Sequence, residues 1–194
     1  RGGPPFKDGE PGWNRSHFFG DFNSSKLGLL LNMKDPAAVE IARRLISWAD
    51  IYIESFRPGT VDSFGIGYDV ARELNPSIIM ASTCLMGQSG PASSIAGFGY
   101  HAGAMAGFYE VTGWPDLAPD GPWVAYTDTI APRFLLATLL AAIDHRRRSG
   151  EGQHIDAAQI EMGLHFLAPE IMDYQTSGHI VRRMGNRSRD AAPQ

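Results

Sequence analysis

Residues 121–156 read GPWVAYTDTIAPRFLLATLLAAIDHRRRSGEGQHID, and the order of signals along them decides the fold. A short apolar run, Trp123 to Tyr126, reads as a strand end and stops at Thr127-Asp128-Thr129. A long apolar run, Ile130 to Ile143, follows and closes on Arg146, Arg147, Arg148 and Gly150. That is a helix with punctuated ends. Aspartate or threonine at its start accepts bonds from the unpaired first-turn amides. Pro132 is tolerated within a first turn, where its missing N–H costs little. The arginines meet the negative end of the helix dipole, and glycine supplies a left-handed cap. Asp128 therefore falls where a strand hands over to a helix, a place where α/β proteins collect reactive groups. By position alone it reads first as a helix cap.

Working outward, strands and helices alternate, which predicts parallel βαβ units. Strands are expected at Leu27–Asn32, Ile51–Ile53, Ser77–Ser82 and Gln153–Asp156. Asp35-Pro36 opens a helix with an aspartate cap and proline at the first position. Its apolar side, including Val39, Ala42 and Ile46, recurs at helical spacing. Thr60 is expected to cap a helix running to Leu74, a small-residue helix to run from His101 to Val111, and a long one from Ala157 to Ser177. Residues 1–22 read as an irregular surface segment, 23–185 as an α/β domain, and 186–194 as the start of a linker.

Composition narrows the function classes. A hydrophobic fraction of 43% is that of a globular chain with material for a core. A net charge of −4 gives no reason to expect nucleic acid or an anionic membrane as partner. The single cysteine, Cys84, excludes an internal disulfide and suits a reducing cytoplasm. No apolar run approaches membrane-spanning length. His154 and His165 have no metal-ligand spacing to any cysteine or carboxylate cluster, so no metal site is expected.

Four loops carry candidate chemistry. Ser55-Phe56-Arg57-Pro58-Gly59 follows a strand, where open sheets bind ligands, and pairs a guanidinium for phosphate with a ring for a base. It also reads as a rigid turn with a surface ion pair. Asn23-Ser24-Ser25-Lys26 offers one cation, or one solvated lysine. Leu85 to Pro91, LMGQSGP, has glycines that let backbone approach a ligand or simply turn. Gly97-Phe98-Gly99-Tyr100-His101 is the fourth.

Together these stretches resemble the family III CoA-transferases, the CaiB/BaiF group that includes formyl-CoA and carnitine CoA-transferases. The resemblance implies an α/β fold with a Rossmann-like parallel sheet and flanking helices, the incomplete large domain of such an enzyme. It makes Asp128 the nucleophile of a CoA transfer between carboxylic acids through an aspartyl covalent intermediate. SFRPG corresponds to the family's N-F-R-P-G, with Ser55 for asparagine, and puts Phe56 and Arg57 at the CoA site. Lys26 corresponds to the lysine of N-R-x-K, with Ser24 for arginine, which meets CoA phosphates. LMGQSGP corresponds to G-F-G-Q-x-G-P, implying CoA contacts for Met86, Gly87 and Gln88. Acyl-CoA is then a substrate, a carboxylic acid the acceptor, and no metal takes part. The family also implies a homodimer of interlocked chains.

The racemase branch of the same superfamily places a histidine after the first glycine of the fourth motif, as a second base opposite the aspartate. Phe98 stands there, which favours the transferase branch. His101 lies three residues on. An α-methylacyl-CoA-racemase-like isomerase and a non-catalytic nucleotide-binding or assembly module remain as alternatives. The chain reads as an internal fragment of about half the parent enzyme, inactive by itself, because the family's glycine-rich closing loop lies beyond it.

Overall fold

The computed structural model describes residues 2–189 and residue 191. They divide into two compact units, one up to Asn32 and one from Met33 onward. In the first, the segment expected to be irregular carries a 3-10 turn at Lys7–Gly9 and a short helix, α1 (His17–Phe22). Ser16 starts that helix, its hydroxyl accepting from Phe19 N at 3.1 Å and donating to the Gly3 carbonyl at 2.6 Å. The strand expected at Leu27–Asn32 does not form. The segment joins no sheet among the described residues, and Leu27 and Leu30 are almost wholly exposed. A strand exists through its ladder, and an apolar run without a neighbour leaves its backbone groups to water.

The second unit contains α2 (Pro36–Trp48), β1 (Ile51–Glu54), α3 (Thr60–Ser63), α4 (Tyr68–Leu74) and β2 (Ile79–Cys84). It continues with α5 (Gly99–Ala106), α6 (Phe108–Val111), α7 (Tyr126–Ser149), β3 (Gln153–Ala158), α8 (Gln159–Phe166) and α9 (Ala168–Ser177). The strands form one parallel sheet in the order β1-β2-β3, confirming the expected class. β2 is central, and its alternation sorts two cores. Ile78 and Met80 pack with Ile46, Val61, Ile66 and Ala71 under α2 and α4. Ile79 and Ala81 pack with Leu135, Leu139 and Ala142 of α7 and Ala157 of β3. A third cluster joins Ala106, Phe108, Ile130 and Leu167 beside the site described below.

Asp35 caps α2 as expected, its carboxylate accepting from Ala37 N at 2.9 Å. Three expected helices are each broken in two. Gly65, with φ of 70°, separates α3 from α4, and Gly107, with φ of 100°, separates α5 from α6. Pro169 cannot donate to a fourth-preceding carbonyl, and the chain kinks at Leu167 between α8 and α9. Gly59, in the left-handed region, begins α3 in place of Thr60.

The expected strand at Trp123–Tyr126 is absent as well. Val124 takes a left-handed conformation, φ 62°, which no strand accommodates, and α7 starts early, at Tyr126. Asp128 is consequently not the cap. Ala125 holds that position, with no side-chain capping bond, and Asp128 is the third residue of the helix. Pro132 then lies beyond the first turn, where its ring removes the bond the Asp128 carbonyl would accept.

At the amino ends of the strands the polar groups close on one another. Asn75 Nδ2 donates to the Ala49 carbonyl at 2.9 Å, and Asn75 Oδ1 accepts from Ser77 N and Oγ at 3.1 and 2.8 Å. Arg146, near the end of α7, donates to the Asp50 carbonyl at 2.8 Å and meets its carboxylate at 3.2 Å. Gly152 fits beneath β2 because it lacks a side chain: a Cβ there would fall 2.0 Å from the Ile78 carbonyl oxygen.

Candidate active site

At the opposite, carboxyl ends of β1 and β2 lies a cleft of about 250 Å3 within the second unit. Phe56, Arg57, Leu85, Phe98 and Asp128 all face it. Three of the sequence-predicted site residues, Phe56, Arg57 and Asp128, are thus brought together from two segments that lie far apart in sequence. Each arrives for a local reason. Phe56 and Arg57 sit on the turn that leaves β1 and ends in left-handed Gly59. Phe56 is exposed and meets Phe64 edge-on at 6.3 Å. Arg57 is exposed, and its guanidinium forms no hydrogen bond or ion pair with the described residues.

Asp128 stands where two helices begin. Thr127, fully buried, donates from Oγ1 to the Gly99 carbonyl at 2.9 Å and approaches Gln159 Oε1 at 3.4 Å, joining the starts of α5, α7 and α8. Gly99 is the first residue of α5, and a Cβ on it would lie 2.7 Å from Asp128 Oδ1. Only glycine admits the carboxylate so close. The amino ends of α5 and α7 both favour negative charge at this point. The carboxylate is exposed and makes no hydrogen bond with the described residues.

The other predicted residues are not among those that line this cleft. Lys26 belongs to the first unit, where its ammonium caps α1, donating to the Phe22 carbonyl at 2.7 Å and to Asn23 Oδ1 at 3.3 Å. Met86, Gly87 and Gln88 do not line the cleft; only Leu85 of that loop does. Gly87 is buried with φ of 85°, and Gln88 N donates to both oxygens of Asp156, at 2.9 and 3.0 Å. His101 is occupied at the start of α5, its Nδ1 accepting from Phe98 N at 3.0 Å.

Sequence reasoning missed Gly99, Thr127, Gln159 and Cys84 as site neighbours. The glycine flanking Phe98 was the one available signal. Cys84 lines the cleft, but burial pushes its thiol up, only partly offset by the amides of Met86 and Gly87, so it is a poor nucleophile there.

A larger concavity, about 660 Å3, lies between α9 and the segment after it. One of its two carboxylates, Asp173, is engaged by His179 at 2.6 Å and Ser177 at 2.8 Å, and those bonds hold it below the usual carboxylate range. The smaller cleft is the one at the carboxyl ends of the strands, where open α/β sheets bind ligands. Among the described residues no His, Cys, Asp and Glu cluster forms a metal site, and no helix is long and apolar enough to cross a membrane.

Known proteins match along the whole chain. CoA-transferase family III matches residues 1–194. The succinate–glutarate CoA-transferase of Agrobacterium fabrum is 35% identical over 192 residues, which is 98% of this chain and 48% of that protein. The succinyl-CoA–D-citramalate CoA-transferase of Chloroflexus aurantiacus is 35% identical over 169 residues, 87% of this chain and 42% of that one. A crystal structure of a CaiB/BaiF family protein from Brucella suis superposes with a TM-score of 0.89 at 33% identity, covering 98% of this chain and 50% of that chain. The chain spans about half the length of the relatives it matches.

Proposed function

The chain belongs to CoA-transferase family III, and from that premise we propose that its protein moves CoA between carboxylic acids with Asp128 as covalent nucleophile. The Asp128 carboxylate attacks the thioester carbonyl of an acyl-CoA, and the C–S bond breaks to give a mixed anhydride and CoA thiolate. The thiolate returns to the aspartyl carbonyl and releases the first acid, leaving an aspartyl-CoA thioester. An acceptor carboxylate attacks that thioester, giving a second anhydride and thiolate. Attack of the thiolate on the acceptor's carbonyl then yields the new acyl-CoA and frees the aspartate. The two helix starts at Asp128 suit the negative charge that passes through each addition step.

The observation that carries this reading is the shared cleft. A carboxylate and a guanidinium, neither with a partner among the described residues, line it with an exposed ring, the first suited to the thioester and the others to the phosphate and base of CoA. An isomerase needs a second base opposite Asp128. The cleft lining among the described residues holds no histidine, and His101 is tied to Phe98 N. Two relatives are named for dicarboxylates, so succinyl-CoA with glutarate is the first pair to assay. A cytoplasmic homodimer belongs to the same reading.

The test is covalent trapping. Protein carrying this chain is incubated with succinyl-CoA, quenched and digested, and the peptide holding Asp128 is weighed. An acyl or CoA adduct on Asp128 supports the transferase. Turnover with no adduct there overturns the mechanism, and no binding or turnover of any acyl-CoA leaves the non-catalytic alternative in its place.

A further inference from the structure

Register sets three polar residues in one row across the sheet: Glu54 pairs with Ser82, and Ser82 with Asp156. Residues paired in register share a face. Glu54 and Ser82 are buried, at 5% and 2% exposure, at the last paired row of β1, where the chain turns into the loop 55–59. Glu54 Oε2 accepts from Phe56 N at 2.7 Å, while Oε1 is buried with no hydrogen-bond partner. No cation pairs with it among the described residues, and Ser82 Oγ is engaged with His154 Nε2 at 3.0 Å. Burying a carboxylate on one backbone bond is costly, so packing alone gives no reason for it.

The geometry supplies a reason. The one bond Glu54 makes holds the amide of Phe56, and Phe56 and Arg57 face the cleft directly beyond it. Asp156 grips Gln88 N in the same manner, but Gln88 lies outside the cleft. Resting on the functional reading above, we infer that Glu54 is a positioning residue. Its carboxylate sets the turn that presents Phe56 and Arg57, and so sets affinity for CoA without touching it.

Two variants separate the acceptor from the charge. Glu54→Met keeps the length of the side chain but has no oxygen to accept from Phe56 N. Glu54→Gln loses the charge but keeps an acceptor at the same reach. The measurement is CoA affinity by calorimetry in the protein carrying this chain, with melting temperatures beside it. Glu54→Met is expected to bind CoA about tenfold more weakly, the scale of a lost bond to a charged group, and Glu54→Gln to stay within about threefold of wild type. Equal affinity in both variants, or the reverse order, overturns the inference while leaving the transferase intact. A wild-type protein that does not bind CoA overturns the functional reading and this one with it.

Discussion

The two ends of the sheet are built from similar residues and behave oppositely. At the amino end Asn75, Ser77, Asp50 and Arg146 satisfy one another across three segments, and Gly152 seals the packing. At the carboxyl end Arg57 and Asp128 line a cleft without partners among the described residues, and Glu54 is buried half-satisfied. Polar groups that close on each other hold a fold together. Polar groups held open by rigid surroundings are kept for something else to bind. An arginine thus has two meanings here: Arg146 is a strut and Arg57 a candidate hand-hold. The contrast predicts that substitutions at the amino end change stability and those at the carboxyl end change function.

Asp128→Asn is the strongest challenge to that division. Asparagine keeps the size but cannot form an anhydride, so transfer is expected to fall by roughly four orders of magnitude or more, as losses of a covalent nucleophile do. Because Asp128 is not the helix cap, stability should drop only by the dipole contribution of a first-turn charge, about 0.5 kcal/mol. Rates of CoA transfer measured beside thermal melting decide it. An active, stable asparagine variant removes Asp128 from the chemistry.

Gly152→Ala is the converse. A methyl group would meet the Ile78 carbonyl oxygen, backbone against backbone, with no flexible side chain to yield. The expected loss is about 3 kcal/mol of stability or more, read by denaturant unfolding, with activity per folded molecule unchanged. A variant as stable as wild type would mean that the amino end is not the rigid seam described.

Arg57→Ala returns to the open end. Loss of a charge-assisted contact to a CoA phosphate is expected to weaken binding by about 2 kcal/mol, with little change in melting because the guanidinium bonds none of the described residues. Calorimetry giving unchanged CoA affinity takes the loop out of the site. The same change at Arg146 should do the reverse and lower the melting temperature alone.

Much of the parallel sheet and its helices was legible because period and punctuation agree: Asp35-Pro36 opens α2, and Gly150 closes α7. The helix breaks were not, since a glycine such as Gly65 or Gly107 reads as tolerated until its φ is seen. The start of α7 was misread because Thr127, which looks like a cap, turns its hydroxyl to Gly99 instead. The same long-range logic hid the loop at Gln88, whose amide bonds Asp156, 68 residues away. Motif matching treated residues 56, 57, 86, 87 and 88 alike. Only the fold distinguishes those facing the cleft from those that face away.

The smallest expected effect measures how far the polar character of the carboxyl end reaches into the sheet. Tyr52 pairs with Met80 two positions inside the Glu54 row, and its phenol is pushed up to about 12, first by burial and then by the charges of Glu54 and Asp62. In the unfolded chain a tyrosine ionises near pH 10. The folded state therefore holds this proton after the unfolded state has lost it. The stability from the neutral, buried phenol is complete below about pH 10 and declines as the pH rises through about 12. Tyr52→Phe has nothing to titrate, so wild type should lose melting temperature relative to it only in that alkaline window. Other titrating groups are common to both proteins and cancel in the difference. A difference that stays flat from about pH 10 to about pH 12, the limits set by the two ionisations, would mean that Tyr52 feels neither burial nor the carboxylates. The polar end of the sheet would then stop at Glu54.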